Sequence, residues 1–315
     1  MVRSKLLVIG VLVAAIACFI VGLLVPWVRT TAIIGLCYAL AALGVTVLLR
    51  AGQISFGHAL YALVGGYAVG FVGRAFPALD GLLLIAAGTA AAIVAGGIIG
   101  LFVVRYRAIF FGMLNLAISM VLFSLASKLF EVTNGSDGLR IARPTLAGMT
   151  LERADFETWM LAATLVAAVL LGWFVQRYFE SAAGEALAGV KTNETRLEYL
   201  GLSSYRILWN GYVLSAGLVG LSGSIFAVVQ GLVTPELGYW LRSGEYVFIA
   251  ILGGSGHALG AFLGTLVFEC VKLIAGAYFA GVWQLMLGVV LIVVILIAPN
   301  GIVGALRRRK AAVAR

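Results

Sequence analysis

Two uninterrupted apolar runs constrain this chain more than any other feature. Leu6–Val25 holds twenty residues without a charge, and Gly81–Val104 holds twenty-four. A helix needs roughly 20 such residues to cross the ~30 Å hydrocarbon layer of a bilayer. Similar runs recur along the 315 residues, which are 63% hydrophobic and only 11% charged, with a mean hydropathy of +1.10. A soluble domain of this length needs more polar surface than these charges supply. The expected class is an all-α polytopic membrane protein. Read in order, the runs predict spans near 6–25, 32–49, 54–73, 81–104, 108–130, 158–175, 207–231, 245–256, 259–276 and 281–298. That is a bundle of about ten transmembrane helices in one domain over 1–306, followed by a basic tail at 307–315. The first run exceeds the ~7–15 residues of a signal-peptide core and more spans follow it, so it reads as a span.

Lysine and arginine set the orientation. With the N-terminus inside, the cytoplasmic segments hold 14 of the 22 basic residues, including Arg3, Lys5, Arg50, Arg105, Arg107, Arg177 and the "RRRK" of Arg307–Lys310. An even number of spans then places both termini in the cytoplasm. The net charge of +9 could suggest nucleic acid. The basic cluster directly follows the last span, however, and reads as an anchor beside anionic membrane lipid. Cys18, Cys37 and Cys270 lie inside apolar runs at unrelated spacings, which implies neither a disulfide framework nor a redox motif.

Two connections are long. The outer one, 131–157, is rich in Gly, Thr, Asn and Pro and reads as a structured loop. The inner one, 176–206, carries four basic residues (Arg177, Lys191, Arg196, Arg206) and four acidic ones (Glu180, Glu185, Glu194, Glu198). Neutral overall yet densely charged, with a helix-prone centre closed by "LGL", it suits docking to a protein better than anchoring to lipid. Within it, "GEALAGVKT" at Gly184–Thr192 is a near miss for a P-loop. An extra Val190 displaces Lys191 from the phosphate cradle, and no buried strand precedes it. ATP-driven work therefore needs a partner.

Polar groups inside spans are costly in lipid unless they face protein or water. Gln53, Ser55, His58, Asn115, Ser119, Asn210, Ser215 and Glu245 are the candidates for a pathway, with interhelical hydrogen bonding as the plainer reading for Ser and Asn. Glu269 and Lys272, three apart, could pair with each other. Ser55 and His58 share helical spacing, but no nearby acid would orient the imidazole, and hydrolysis is not expected. The two histidines, His58 and His257, stand in two copies of "GHAL", both starting outward-running helices; inverted repeats would run in opposite senses. No metal set or cofactor site follows from two His and three scattered Cys. Gly66/Gly70, Gly96/Gly100 and Gly256/Gly260/Gly264 are small-xxx-small patterns of close helix packing, and Gly217/Gly220/Gly223 is a related stripe.

In order along the chain, "AGQISFGHA" (Ala51–Ala59), "TNGSDGL" (Thr133–Leu139), "PTLAG" (Pro144–Gly148) and "LGL" (Leu200–Leu202) are followed by "LSAGLVGLSGSIFA" (Leu214–Ala227), "TPE" (Thr234–Glu236), "ILGGSG" (Ile251–Gly256) and "APNGIVG" (Ala298–Gly304). Together they resemble the LivM-type permease subunits of branched-chain amino-acid ABC importers, from about 32 to 303. The resemblance implies a non-enzymatic transport subunit of the bacterial inner membrane, paired with a second permease half, two cytoplasmic ATPases and a periplasmic substrate-binding protein. It also implies that the Gly184–Leu202 segment is a coupling helix on the ATPase, with Glu185, Lys191, Asn193, Glu194, Arg196, Leu197, Leu200 and Gly201 at the contact. The fifth span departs from the family pattern at Asn115 and Met120, which leaves the substrate open. Urea, short amides or small carboxylates are alternatives within the same architecture. An ion-coupled secondary transporter or a passive channel is an alternative of another class, kept open by Glu245, Glu269 and His58.

Overall fold

The computed structural model describes residues 2–278, 283–298 and 301–304, with side chains from 13 onward except at 277, 278, 283 and 295. The expected basic tail at 307–315 and the side chains of Arg3 and Lys5 lie outside those residues. Helices dominate. In chain order they are α1 (Val2–Leu24), α2 (Pro26–Arg50), α3 (Ala59–Ala75), α4 (Gly81–Val103), α5 (Ala108–Lys128), the single turn α6 (Phe130–Thr133), α7 (Arg153–Glu180), α8 (Ala182–Thr192), α9 (Glu194–Tyr199), α10 (Ser204–Gln230), α11 (Trp240–Gly253), α12 (Leu259–Tyr278) and α13 (Trp283–Ile297). A helix falls within each expected run, although the third begins only at Ala59 and residues 281 and 282 of the last lie outside those described. Among the described residues, six helices are long and apolar enough to cross a membrane: α2, α4, α5, α7, α10 and α12.

Two central helices carry the packing. In α2 and α10, 78% and 67% of the apolar window is buried inside the protein, against 22% in α5 and 28% in α4. Leucine gains nothing by leaving lipid for another leucine, so close backbone approach must hold such helices together. The glycines provide it. A Cβ on Gly223 of α10 would fall 2.2 Å from the Ala62 carbonyl of α3, and one on Gly96 of α4 would fall 2.3 Å from the Ala216 Cβ of α10. At the α11–α12 corner, a Cβ on Gly264 would fall 2.2 Å from the Ile249 carbonyl.

The third expected span needs correction. Its helix begins at Ala59, so Gln53, Ser55 and His58 lie in an irregular segment before α3 rather than on its first turns. The backbone is diverted because α5 takes it up. Gln53 Oε1 accepts from the Ala108 N–H at 2.8 Å, and Gly57 presses against the Asn115 carbonyl. Irregular backbone at membrane depth is tolerated only where protein satisfies its polar groups. Here Gln53 N–H donates to the Leu48 carbonyl at 3.0 Å, and Ala59 N–H to Ser243 Oγ of α11 at 2.8 Å. Helix α7 outruns its expected span at both ends, where Arg153 pairs with Glu157 at 2.9 Å and Gln176 donates to Glu180 at 2.7 Å.

The segment 131–157 is structured, as expected. Leu139–Arg140 (β1) pairs antiparallel with Leu232–Val233 (β2), after α10. Asp80 ties the loop down, accepting from the Gly148 N–H at 3.2 Å, while Gly81 N–H donates to the Thr145 carbonyl at 2.8 Å.

Candidate functional site

Three polar regions stand out. The first is a knot between the pre-α3 segment, α5 and α10. His58 Nδ1 and Ser55 Oγ share a hydrogen bond at 2.6 Å. The imidazole stands edge-on to Tyr61 and Tyr212, with ring centroids 5.2 and 5.1 Å away. Tyr61 donates to the Tyr212 hydroxyl at 2.7 Å, Tyr212 donates to Asn115 Oδ1 at 2.5 Å, and the Asn115 amide donates to the Phe111 carbonyl at 2.8 Å. His58, Ser55 and Asn115 have no solvent exposure, and His58 Nε2 has no hydrogen-bond partner. No acid orients the imidazole, so the arrangement serves to clamp helices rather than to activate a nucleophile. Among the described residues no group of three or more His, Cys, Asp or Glu converges as a metal site would.

The second region is a cavity of about 520 Å³ lined by Phe123, Glu236, Tyr239, Leu241, Arg242 and Glu245. Tyr38 of α2 stands behind it. Its hydroxyl donates to Glu245 Oε2 at 2.8 Å and accepts from Arg242. Lys272 Nζ lies 5.1 Å from the centre of the Tyr38 ring and 5.7 Å from that of Phe268, and Arg242 stacks over Phe226 at 5.4 Å. Such cation–π contacts help two cations remain inside an apolar bundle. Glu269, on the α12 face packed against Gly35 of α2, keeps one carboxylate oxygen buried without a hydrogen-bond partner.

The third region is the α8–α9 hairpin. Ser181 caps α8, accepting from the Gly184 N–H at 3.4 Å, and Asn193 caps α9, accepting from the Arg196 N–H at 3.0 Å. Two arginines moor the hairpin to the bundle. Arg50, at the end of α2, donates to Glu185 at 2.7 Å and to the Phe179 carbonyl at 2.9 Å. Arg107, between α4 and α5, grips Glu194 with two bonds of 2.6 and 3.1 Å. Leu197 is buried beneath α9. Gly201 takes a positive φ of 78° that ends the helix and turns the chain outward. The tip is apolar and bare: Tyr199 is 88% exposed and Leu200 70%.

The structure thus gathers Gln53, Ser55, His58 and Asn115 in one place. Ser119 lies elsewhere, donating to the Gly238 carbonyl at 3.0 Å, and Glu245 belongs to the cavity. Ser215 is buried against α2 with an unpaired hydroxyl, and Asn210 is exposed on α10, in neither cluster. Within the hairpin, Glu185 and Glu194 are engaged inside the chain, while Lys191, Asn193, Arg196, Leu200 and Gly201 are exposed. His257 is a local cap, its Nδ1 accepting from the Leu259 N–H at 3.1 Å. Sequence reasoning missed Tyr38, Tyr61, Tyr212, Arg242 and Tyr199. Arg242 carried a legible signal, a cation three residues before Glu245 at the start of an apolar helix. The tyrosines carried none, because an aromatic ring in a span is ordinary.

Six long apolar helices among the described residues, with buried polar groups between them, a cavity and a moored hairpin, define a multi-pass helical membrane protein. The chain belongs to the family described as the branched-chain amino acid transport system permease component, whose profile matches residues 28–296, and it is an inner-membrane permease. It is 25% identical to the high-affinity branched-chain amino acid transport system permease protein LivM of Escherichia coli K12, over 96% of this chain and 75% of that one. It is 26% identical to LivH of the same organism and 26% identical to BraD of Pseudomonas aeruginosa, each over 86% of this chain and 92% of the relative. No solved structure matches it significantly.

Proposed function

We propose that the chain is one permease half of an ATP-driven ABC importer for branched-chain or other small amino acids. It would span the membrane ten times, as a single domain over 1–306, with both termini and the basic tail 307–315 in the cytoplasm. ATP hydrolysis belongs to two separate cytoplasmic subunits, a second permease half completes the pathway, and a periplasmic binding protein delivers the substrate. The chain itself binds no cofactor. The pathway runs past Gln53, Ser55, His58, Asn115, Ser119, Ser215 and Glu245; Asn210 contributes at its inner end.

The observation that carries this reading is the α8–α9 hairpin. Its tip offers apolar side chains, Tyr199 and Leu200, that water leaves uncovered, and a partner protein would bury them. Its base is moored by Arg50 and Arg107 to the two segments that flank the polar knot. A force on the tip therefore reaches the pre-α3 segment through Arg107, Ala108 and Gln53. Lys191 joins this contact by packing on Gly52. Leu200→Asp leaves the bundle untouched and tests the docking. Co-purification of the ATPase subunits and leucine uptake should each fall at least about tenfold, a modest loss for an apolar anchor residue. Unchanged association with unchanged uptake would remove the docking role.

A further inference from the structure

The outer cavity holds an unusual charge arrangement. Arg242 and Glu245 stand three apart on α11, a spacing at which opposite charges ordinarily meet. Here they form no ion pair within 4 Å; the ion pairs among the described residues lie elsewhere. Tyr38 keeps them apart, accepting from the guanidinium and donating to the carboxylate. Each charged group uses only part of its bonding capacity on that hydroxyl, and both line the same cavity together with Glu236. The two charges meet only through that hydroxyl, so their remaining donors and acceptors are available to opposite charges on a ligand. The rest of the lining is apolar: Phe123 and Tyr239, with ring centroids 5.0 Å apart, and Leu241. The volume of about 520 Å³ is that of a small-molecule site.

We propose that this cavity recognises the zwitterionic head of an α-amino acid: Arg242 takes the carboxylate, Glu245 and Glu236 take the ammonium, and Phe123, Tyr239 and Leu241 receive the hydrocarbon side chain. The proposal rests on the importer reading and locates its specificity within this chain. A ligand with only one of the two charges leaves either half-buried Arg242 or buried Glu245 without its second partner, so the cavity discriminates against urea, amides and simple carboxylates. The polar knot around His58, fully closed and self-satisfied except at Nε2, then acts as a moving joint and not as the recognition site.

The test is equilibrium binding of radiolabelled leucine to the full chain in lipid nanodiscs. 4-Methylpentanoate supplies the carboxylate without the ammonium, and isoamylamine the reverse. Each should compete at least about tenfold more weakly than leucine, the size of one lost charge-assisted contact. Arg242 also holds Tyr38, so its loss could disturb folding. Leu241→Trp, which fills the apolar side of the cavity, and Glu236→Gln, at its exposed rim, avoid that problem. Leu241→Trp should abolish binding, and Glu236→Gln should weaken it several-fold, with unchanged thermal unfolding. Absence of saturable leucine binding, equal competition by either analogue, or wild-type binding in Leu241→Trp would overturn the site. Leucine uptake by cells carrying the complete importer separates the two readings. Uptake that persists while binding data fail sinks only this cavity, whereas uptake that never depends on the chain sinks the importer itself.

Discussion

Gly57 illustrates how much rests on single residues. A methyl group at this position would sit 2.0 Å from the Asn115 carbonyl oxygen, a backbone atom that has no rotamer to retreat into. Gly57→Ala should cost about 1–3 kcal/mol or more, through the strain of forcing the pre-α3 segment off α5. A fall in the thermal unfolding midpoint of the detergent-purified protein would show it, and an unchanged midpoint would mean the segment is not seated as described. The same residue explains why His58 is placed as it is. Gly57 brings the segment close to α5, where the imidazole bonds Ser55 and stands nearly perpendicular to the rings of Tyr61 and Tyr212. None of this was legible beforehand. A Gly-His dipeptide reads equally well as a helix start, a hinge or a coincidence.

At the scale of elements, the relation between the hairpin and the bundle matters most. Arg107 and Glu194 form a two-bond pair with side chains 27% and 33% exposed, worth about 1 kcal/mol or somewhat more once solvent screening is counted. That is too little to hold the fold together but enough to transmit movement between α9 and the α4–α5 corner. Arg107→Ala and Glu194→Ala should each reduce coupled uptake several-fold while ATPase co-purification stays near wild type. The double variant should be no worse than either single one, since both break the same link. Additive losses would show that the two residues act separately. The helical character of this hairpin was readable from its charge density and its Gly stop. Which of its residues face a partner was not: Leu197 is buried, Leu200 three residues on is exposed, and Glu194 is occupied inside the chain.

For the whole molecule, the testable consequence is sidedness. The hairpin, Arg50 and Arg107 gather at one end of the bundle, while the 131–157 loop, Asp80 and β2 gather at the other. A cysteine replacing Leu200 should react with a membrane-impermeant thiol reagent only in inside-out vesicles, and one replacing Met149 only in right-side-out vesicles. Labelling of both from the same side would overturn the proposed topology. By itself the sequence determined the helical membrane class, the approximate positions of the long apolar helices and the helix-prone, charge-dense character of the 176–206 segment. Those follow from local quantities: run length against bilayer thickness, charge density, and a glycine stop. Only the tertiary structure decided that Tyr38 separates Arg242 from Glu245, that Tyr61 and Tyr212 close the knot around His58, and that α2 and α10 form the core. In lipid both faces of a helix are apolar, so hydrophobic periodicity does not tell which face meets protein. That information lies in the fit of glycine backbones between helices distant in sequence, and it exists only once they are packed.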